Sequence, residues 1–155
     1  MPKEVMRRKA ADNVYLHKDF HGALSAGIEY LHERYGDEAV REYLRGFAAT
    51  YYGPLIAALR ERGLIALKEH FERIYAAEQG DIRVTCSDDE LLLEVAACPA
   101  VSHMRGRSYA VARLFSETGK AVYEGICEGT PFAVEVLERD DATGRSRVRF
   151  HRREL

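Results

Sequence analysis

The chain has 155 residues, 46% of them hydrophobic and 31% charged, with a net charge of -2. That composition fits one ordinary globular domain with enough chain to bury a core, and the near-neutral balance supplies no general pull toward nucleic acid or an anionic membrane. No apolar run approaches the roughly 20 residues a bilayer-spanning helix needs, and three cysteines make no closed disulfide framework, which points to a reducing compartment.

Residues 1–11 carry Lys3, Arg7, Arg8 and Lys9 and lack the apolar stretch of a signal peptide. A flexible N-terminus, a cytoplasmic protein and a single domain over residues 12–155 are therefore expected. Asp12 or Asn13 caps a first helix running to about Tyr35, because Leu16, Phe20, Leu24, Ile28 and Leu31 recur at helical spacing. Gly36 stops it and Asp37 restarts the chain. The second helix carries Val40, Tyr43, Leu44, Phe47, Tyr51 and Tyr52 on its apolar stripe, which is a candidate core, pocket wall or homodimer face. Gly53-Pro54 breaks it, since proline is costly inside a helix. A short helix over Leu55–Arg62 ends at Gly63. A third long helix, about Leu64 to Gln79, presents Leu67, Phe71, Ile74 and Tyr75.

The hydrophobic period then drops to two. Ile82, Val84 and Cys86 alternate with polar residues, Ser87 to Glu90 reads as a turn, and Leu91 to Ala97 returns as a central strand. Cys98-Pro99 opens a short helix, and Ser116-Glu117-Thr118 caps another through about Glu128. Phe132–Glu138 and Arg147–Phe150 form a second hairpin around Asp140 to Gly144. Helices followed by two hairpins predict an α+β fold, with N-terminal helices packed on a small antiparallel sheet.

Two constellations carry candidate chemistry. His17 and His21 are four apart, so on a helix both imidazoles share one face and suit a metal ion; without a glutamate beside the first, as in a zincin helix, a metalloprotease is not expected. Equally, two surface histidines at that spacing arise by chance. In Cys98-Pro99-Ala100-Val101-Ser102-His103, proline at the first helical position puts Cys98 at the cap. The positive end of the helix dipole then lowers its pKa toward thiolate, with His103 as base or co-ligand. The plain alternative is a small buried cysteine and a solvated histidine. Together, His17, His21, Cys98 and His103 would suit zinc or iron.

Elsewhere, Tyr123 lies on a helix face with Ser116, Lys120 and Cys127, half core and half rim, and is a candidate pocket residue beside Glu117. Cys86 reads as core, His32 and His70 as solvated, and His151 as part of a frayed end. Arg145, Arg147 and Arg149 share one strand face and either lie in solvent or hold an anion. No nucleotide-binding glycine loop and no serine-hydrolase elbow is present.

The block Asn13-Val14-Tyr15-Leu16-His17-Lys18-Asp19-Phe20-His21-Gly22-Ala23-Leu24, with Tyr30-Leu31, Tyr35-Gly36, Cys98-Pro99-Ala100 and His103-Met104, resembles the L-2-amino-thiazoline-4-carboxylate hydrolase-like family over about residues 12 to 150. The resemblance implies a hydrolase that opens a cyclic thiazoline to N-carbamoyl-L-cysteine. Such a reaction requires an activated water or nucleophile, a proton for the ring nitrogen and a cation for the substrate carboxylate. Residue chemistry assigns Cys98 and His103 to catalysis, directly or through a metal on His17, His21, Cys98 and His103. Arg105 or Arg107 would hold the carboxylate, and Tyr123 would line the substrate pocket. The alternatives are a non-enzymatic ligand- or metal-binding module using the same residues, or an interaction protein in which they are incidental.

Overall fold

A computed structural model describes residues 19–154. Residues 1–11, the proposed caps Asp12 and Asn13, and His17 lie outside the described residues. The elements in order are α1 (Asp19–Tyr35), α2 (Asp37–Tyr51), α3 (Gly53–Arg62), α4 (Ile65–Ala77), β1 (Ile82–Cys86), β2 (Glu90–Val95), α5 (Pro99–Gly106), α6 (Glu117–Cys127), β3 (Phe132–Asp140) and β4 (Arg145–Arg152). The expected α+β architecture is present. β1–β2 and β3–β4 are antiparallel hairpins, and β2 pairs with β4 to give one antiparallel sheet of order β1-β2-β4-β3.

The punctuation is local chemistry. Gly63 has φ 77, a left-handed conformation open to glycine, and its N–H closes α3 on the Leu59 carbonyl. Pro54 sits in the first turn of α3, where its missing N–H costs nothing. Alternation then sorts the sheet. Leu91, Leu93 and Val95 of β2 and Val148 and Phe150 of β4 are buried against the helices. The opposite face is charged, with Arg149 2.6 Å from Glu90, Arg147 3.2 Å from Glu138 and Arg145 3.7 Å from Glu138. The arginine run is thus matched by cross-strand carboxylates. Such exposed pairs are worth about 0–1 kcal/mol each, and they serve register more than stability.

Phe71 of α4 packs on the inner face of the sheet, its ring 5.6 Å from that of Phe150. Helices α2 and α6 lie in direct contact, and Gly125 makes that approach possible. A Cβ there would sit 2.8 Å from both the Ala48 Cβ and the Arg45 carbonyl oxygen. Nearby, Arg41 reaches Glu117 at 3.1 Å, which explains a glutamate only 5% exposed.

Several side chains depart from the sequence expectation. Tyr43 and Tyr51 are exposed rather than buried, because the stripe that packs from α2 is Val40, Leu44 and Ala48. His70 is buried rather than solvated, edge-on to Tyr52 at 5.5 Å. His32 Nε2 meets Asp37 at 2.7 Å. His151 belongs to β4, paired with Glu90 and Ala133, and is not frayed.

Gly125→Val should destabilise the fold by about 2–3 kcal/mol, read as a Tm drop of roughly 4–12 °C, because overpacking against backbone cannot relax by a rotamer change. An unchanged Tm would show that α2 and α6 do not touch there.

Candidate functional site

The helices do not close completely onto the sheet. Between α1, α2, α4, α6 and the inner face of β3 and β4 lies a cavity of about 1070 Å³, at the upper end of the roughly 300–1,000 Å³ typical of small-molecule sites. Leu24, Leu44, Phe47, Phe71, Ile74 and Val122 form much of its wall. Its polar lining is sparse in area and comes from several elements, among them His21 of α1, His70 and Tyr75 of α4, Cys98 before α5 and Tyr123 of α6.

Cys98 lines this cavity. It is the residue before α5, with Pro99 in the first turn as expected. The β3–β4 turn holds it from behind. Its N–H donates to the Thr143 carbonyl at 3.0 Å. Gly144, at φ 71, lies so close that a Cβ on it would fall 2.2 Å from the Cys98 Cβ. The Ala100 and Val101 amides pull the thiol pKa down. Burial outweighs them and raises the pKa above the ordinary cysteine value. The expectation of a depressed, thiolate-forming cysteine is therefore corrected: desolvation beats the dipole of an eight-residue helix.

Beside Cys98, Tyr75 and Tyr123 are neighbours on the cavity wall, and burial pushes both phenols above their usual range. Tyr52 is raised for the same reason. His70 completes this neutral group. Burial, with help from Arg73, lowers its pKa to about 4, so it is an uncharged imidazole at neutral pH. On the same cavity, His21 Nε2 lies 3.2 Å from Glu78 Oε1, with both side chains mostly shielded from water.

The structure thus brings His21, Cys98 and Tyr123 to one cavity. It does not bring His103, Arg105 or Arg107 there. His103 packs on Tyr109, their ring centroids 6.4 Å apart. Five residues after Cys98, it points about 140° around a helix of 3.6 residues per turn. Arg105 reaches the Asp141 carbonyl at 3.5 Å, and Arg107 is the exposed residue closing α5. The cations that do line the cavity are Arg113, Lys120 and Arg139. Of these, Arg113 is held by Glu29 at 2.6 Å and Arg139 by Asp141 at 3.1 Å. His17 lies outside the described residues. Among the described residues, no three His, Cys, Asp or Glu side chains are grouped to hold a metal ion.

Sequence reasoning placed Tyr75 on the apolar face of its helix, read His70 as solvated, offered Tyr52 as core, pocket wall or dimer face, and passed over Glu78. The available signal was a cluster of phenol, imidazole and carboxylate along one helix, from His70 through Tyr75 to Glu78.

No family model matches this chain, and no curated protein matches it.

The His70 environment makes stability pH-dependent. Its folded pKa of about 4 lies below the unfolded value of 6.5. The unfolded chain therefore binds more protons between those values, and stability present above the unfolded pKa is lost as pH falls toward the folded one. The full shift corresponds to at most about 3 kcal/mol, nearer 2 after solvent screening. Urea unfolding between about pH 7 and about pH 4.5 should show that loss, and His70→Phe should flatten it by roughly 2 kcal/mol. Equal slopes in both proteins would assign the titration elsewhere.

Proposed function

We propose that the chain is a small-molecule-binding domain holding a largely apolar ligand between its helices and its sheet. The cavity carries this reading. Protein interiors normally pack with few voids larger than a water molecule, and one of about 1070 Å³ with mainly apolar walls is the form a ligand site takes. Sparse neutral polar groups at one side then provide orientation.

Gly119 supplies the test. It lies on α6 and lines the cavity, and a Cβ there would meet only the Tyr123 ring, at 3.8 Å. Gly119→Leu should fill space without breaking the fold, since replacing a helical glycine favours the helix by about 1 kcal/mol. The wild-type protein should bind the neutral dye Nile red saturably, one per chain, and folded Gly119→Leu should lose at least about tenfold in affinity, a change of roughly 1.4 kcal/mol. No saturable binding by the wild type, or equal binding by both, would end this reading.

A second reading is favoured by the shared position of Cys98 and the His21–Glu78 pair on the cavity. It is a hydrolase acting on a cyclic C=N bond, with a substrate of the 2-amino-thiazoline-4-carboxylate type. In it, the Cys98 thiol adds to the C=N carbon while His21, oriented by Glu78, takes the sulfur's proton and returns it to the ring nitrogen; the ring C–S bond then breaks, its sulfur leaving as a protonated thiol, and water adds to the same carbon and displaces Cys98 as the free thiol, giving N-carbamoyl-cysteine. The substrate carboxylate sits at the rim, near Lys120 and Arg139. Such an enzyme should form N-carbamoyl-cysteine from that thiazoline and lose more than about a hundredfold in kcat/KM in Cys98→Ala. Turnover undiminished in that variant removes Cys98 from the chemistry.

A further inference from the structure

The groups facing the cavity differ in charge according to depth. At the perimeter, Glu78 meets His21 at 3.2 Å, Arg113 meets Glu29 at 2.6 Å and Arg139 meets Asp141 at 3.1 Å, while Lys120, the other cationic side chain of the lining, is exposed to water. Further in, the polar groups are hydroxyl, thiol and imidazole, none of which offers a counter-charge to an ionised ligand. Burying an ionised head there would leave it unpaired, at a cost that selects against charged occupants.

The tyrosine pair adds a positive requirement. Tyr75 and Tyr123 both line the cavity, and even when one hydroxyl donates to the other, one O–H and several lone pairs are left for a third group. Buried polar hydrogens are normally matched. An oxygen entering the cavity at this point would accept that hydrogen. Around the pair the walls are aromatic: Phe71 stands edge-on to Tyr123 at 5.5 Å, and Tyr52 edge-on to His70 at 5.5 Å. Ring edges and faces at such spacings suit a planar, ring-bearing guest.

Resting on the cavity reading above, we propose that the ligand is an uncharged, ring-bearing apolar molecule whose single hydroxyl or carbonyl oxygen is held by the Tyr75–Tyr123 pair. Cys98, beside both phenols, supplies a soft neighbour to that oxygen and makes no bond to it.

Fluorescence titration of the full chain with three matched probes tests the class: pyrene, 1-pyrenemethanol and 1-pyrenecarboxylate. Pyrenemethanol should bind one per chain, about tenfold or more tighter than either of the others. In the double variant Tyr75→Phe/Tyr123→Phe, which keeps both rings, that advantage over pyrene should shrink to within about threefold, while pyrene itself binds as before. Single Tyr75→Phe should give an intermediate loss. Carboxylate binding as tight as the alcohol would place a charged head at the rim and overturn the proposal, as would an advantage that survives the double variant. Equal binding of all three probes overturns the ligand class and leaves the cavity reading intact; binding of none of them overturns both.

Discussion

The pairing of β2 with β4 is the constraint on which the site depends. Its register sets Val95 opposite Ser146. Because the strands are antiparallel, the chain leaving β2 and the chain entering β4 meet at the same end of the sheet. Cys98, three residues past Val95, therefore lands beside Gly144, two residues before Ser146. The contact between them is so close that only glycine fits at that turn position. One strand pairing thus joins two hairpins into a sheet, fixes the start of α5 and holds a thiol against the cavity.

The two faces of the sheet divide the electrostatic labour. Outside, arginines and glutamates alternate across strands in water, where each pair contributes little, and among the described residues no two like charges stand directly opposite in the sheet register. Inside, burial keeps phenols, thiol and imidazole in their neutral forms. The contest at Cys98 is instructive. Two amides at a helix start favour the thiolate, and removal from water opposes it; over a helix of eight residues the second effect is the larger.

Much of the architecture was legible in the sequence. Gly36, Gly63 and Pro54 marked the helix breaks, and the change of hydrophobic period between Tyr75 and Ile82 marked the passage from helices to sheet. Those signals are local, and backbone conformation is largely a local matter. The site was legible only in part, because it is assembled from distant residues. His21 and Glu78 are 57 positions apart in the chain. Cys98 was singled out for its helix start, yet its partner His103, chosen by nearness along the chain, faces away. Tyr51 and His70 were misread for a related reason. Hydrophobic spacing shows which residues can share a face, but not how far that face extends before it meets solvent or a cavity.

The cavity opens to solvent where the helices stand off the sheet. Its mainly apolar walls are assembled only in the folded chain, so a molecule seated among Phe71, Tyr75 and Tyr123 has no counterpart site once the helices part from the sheet. Occupancy would then shift the folding equilibrium by mass action and make resistance to heat and denaturant rise with the concentration of the guest.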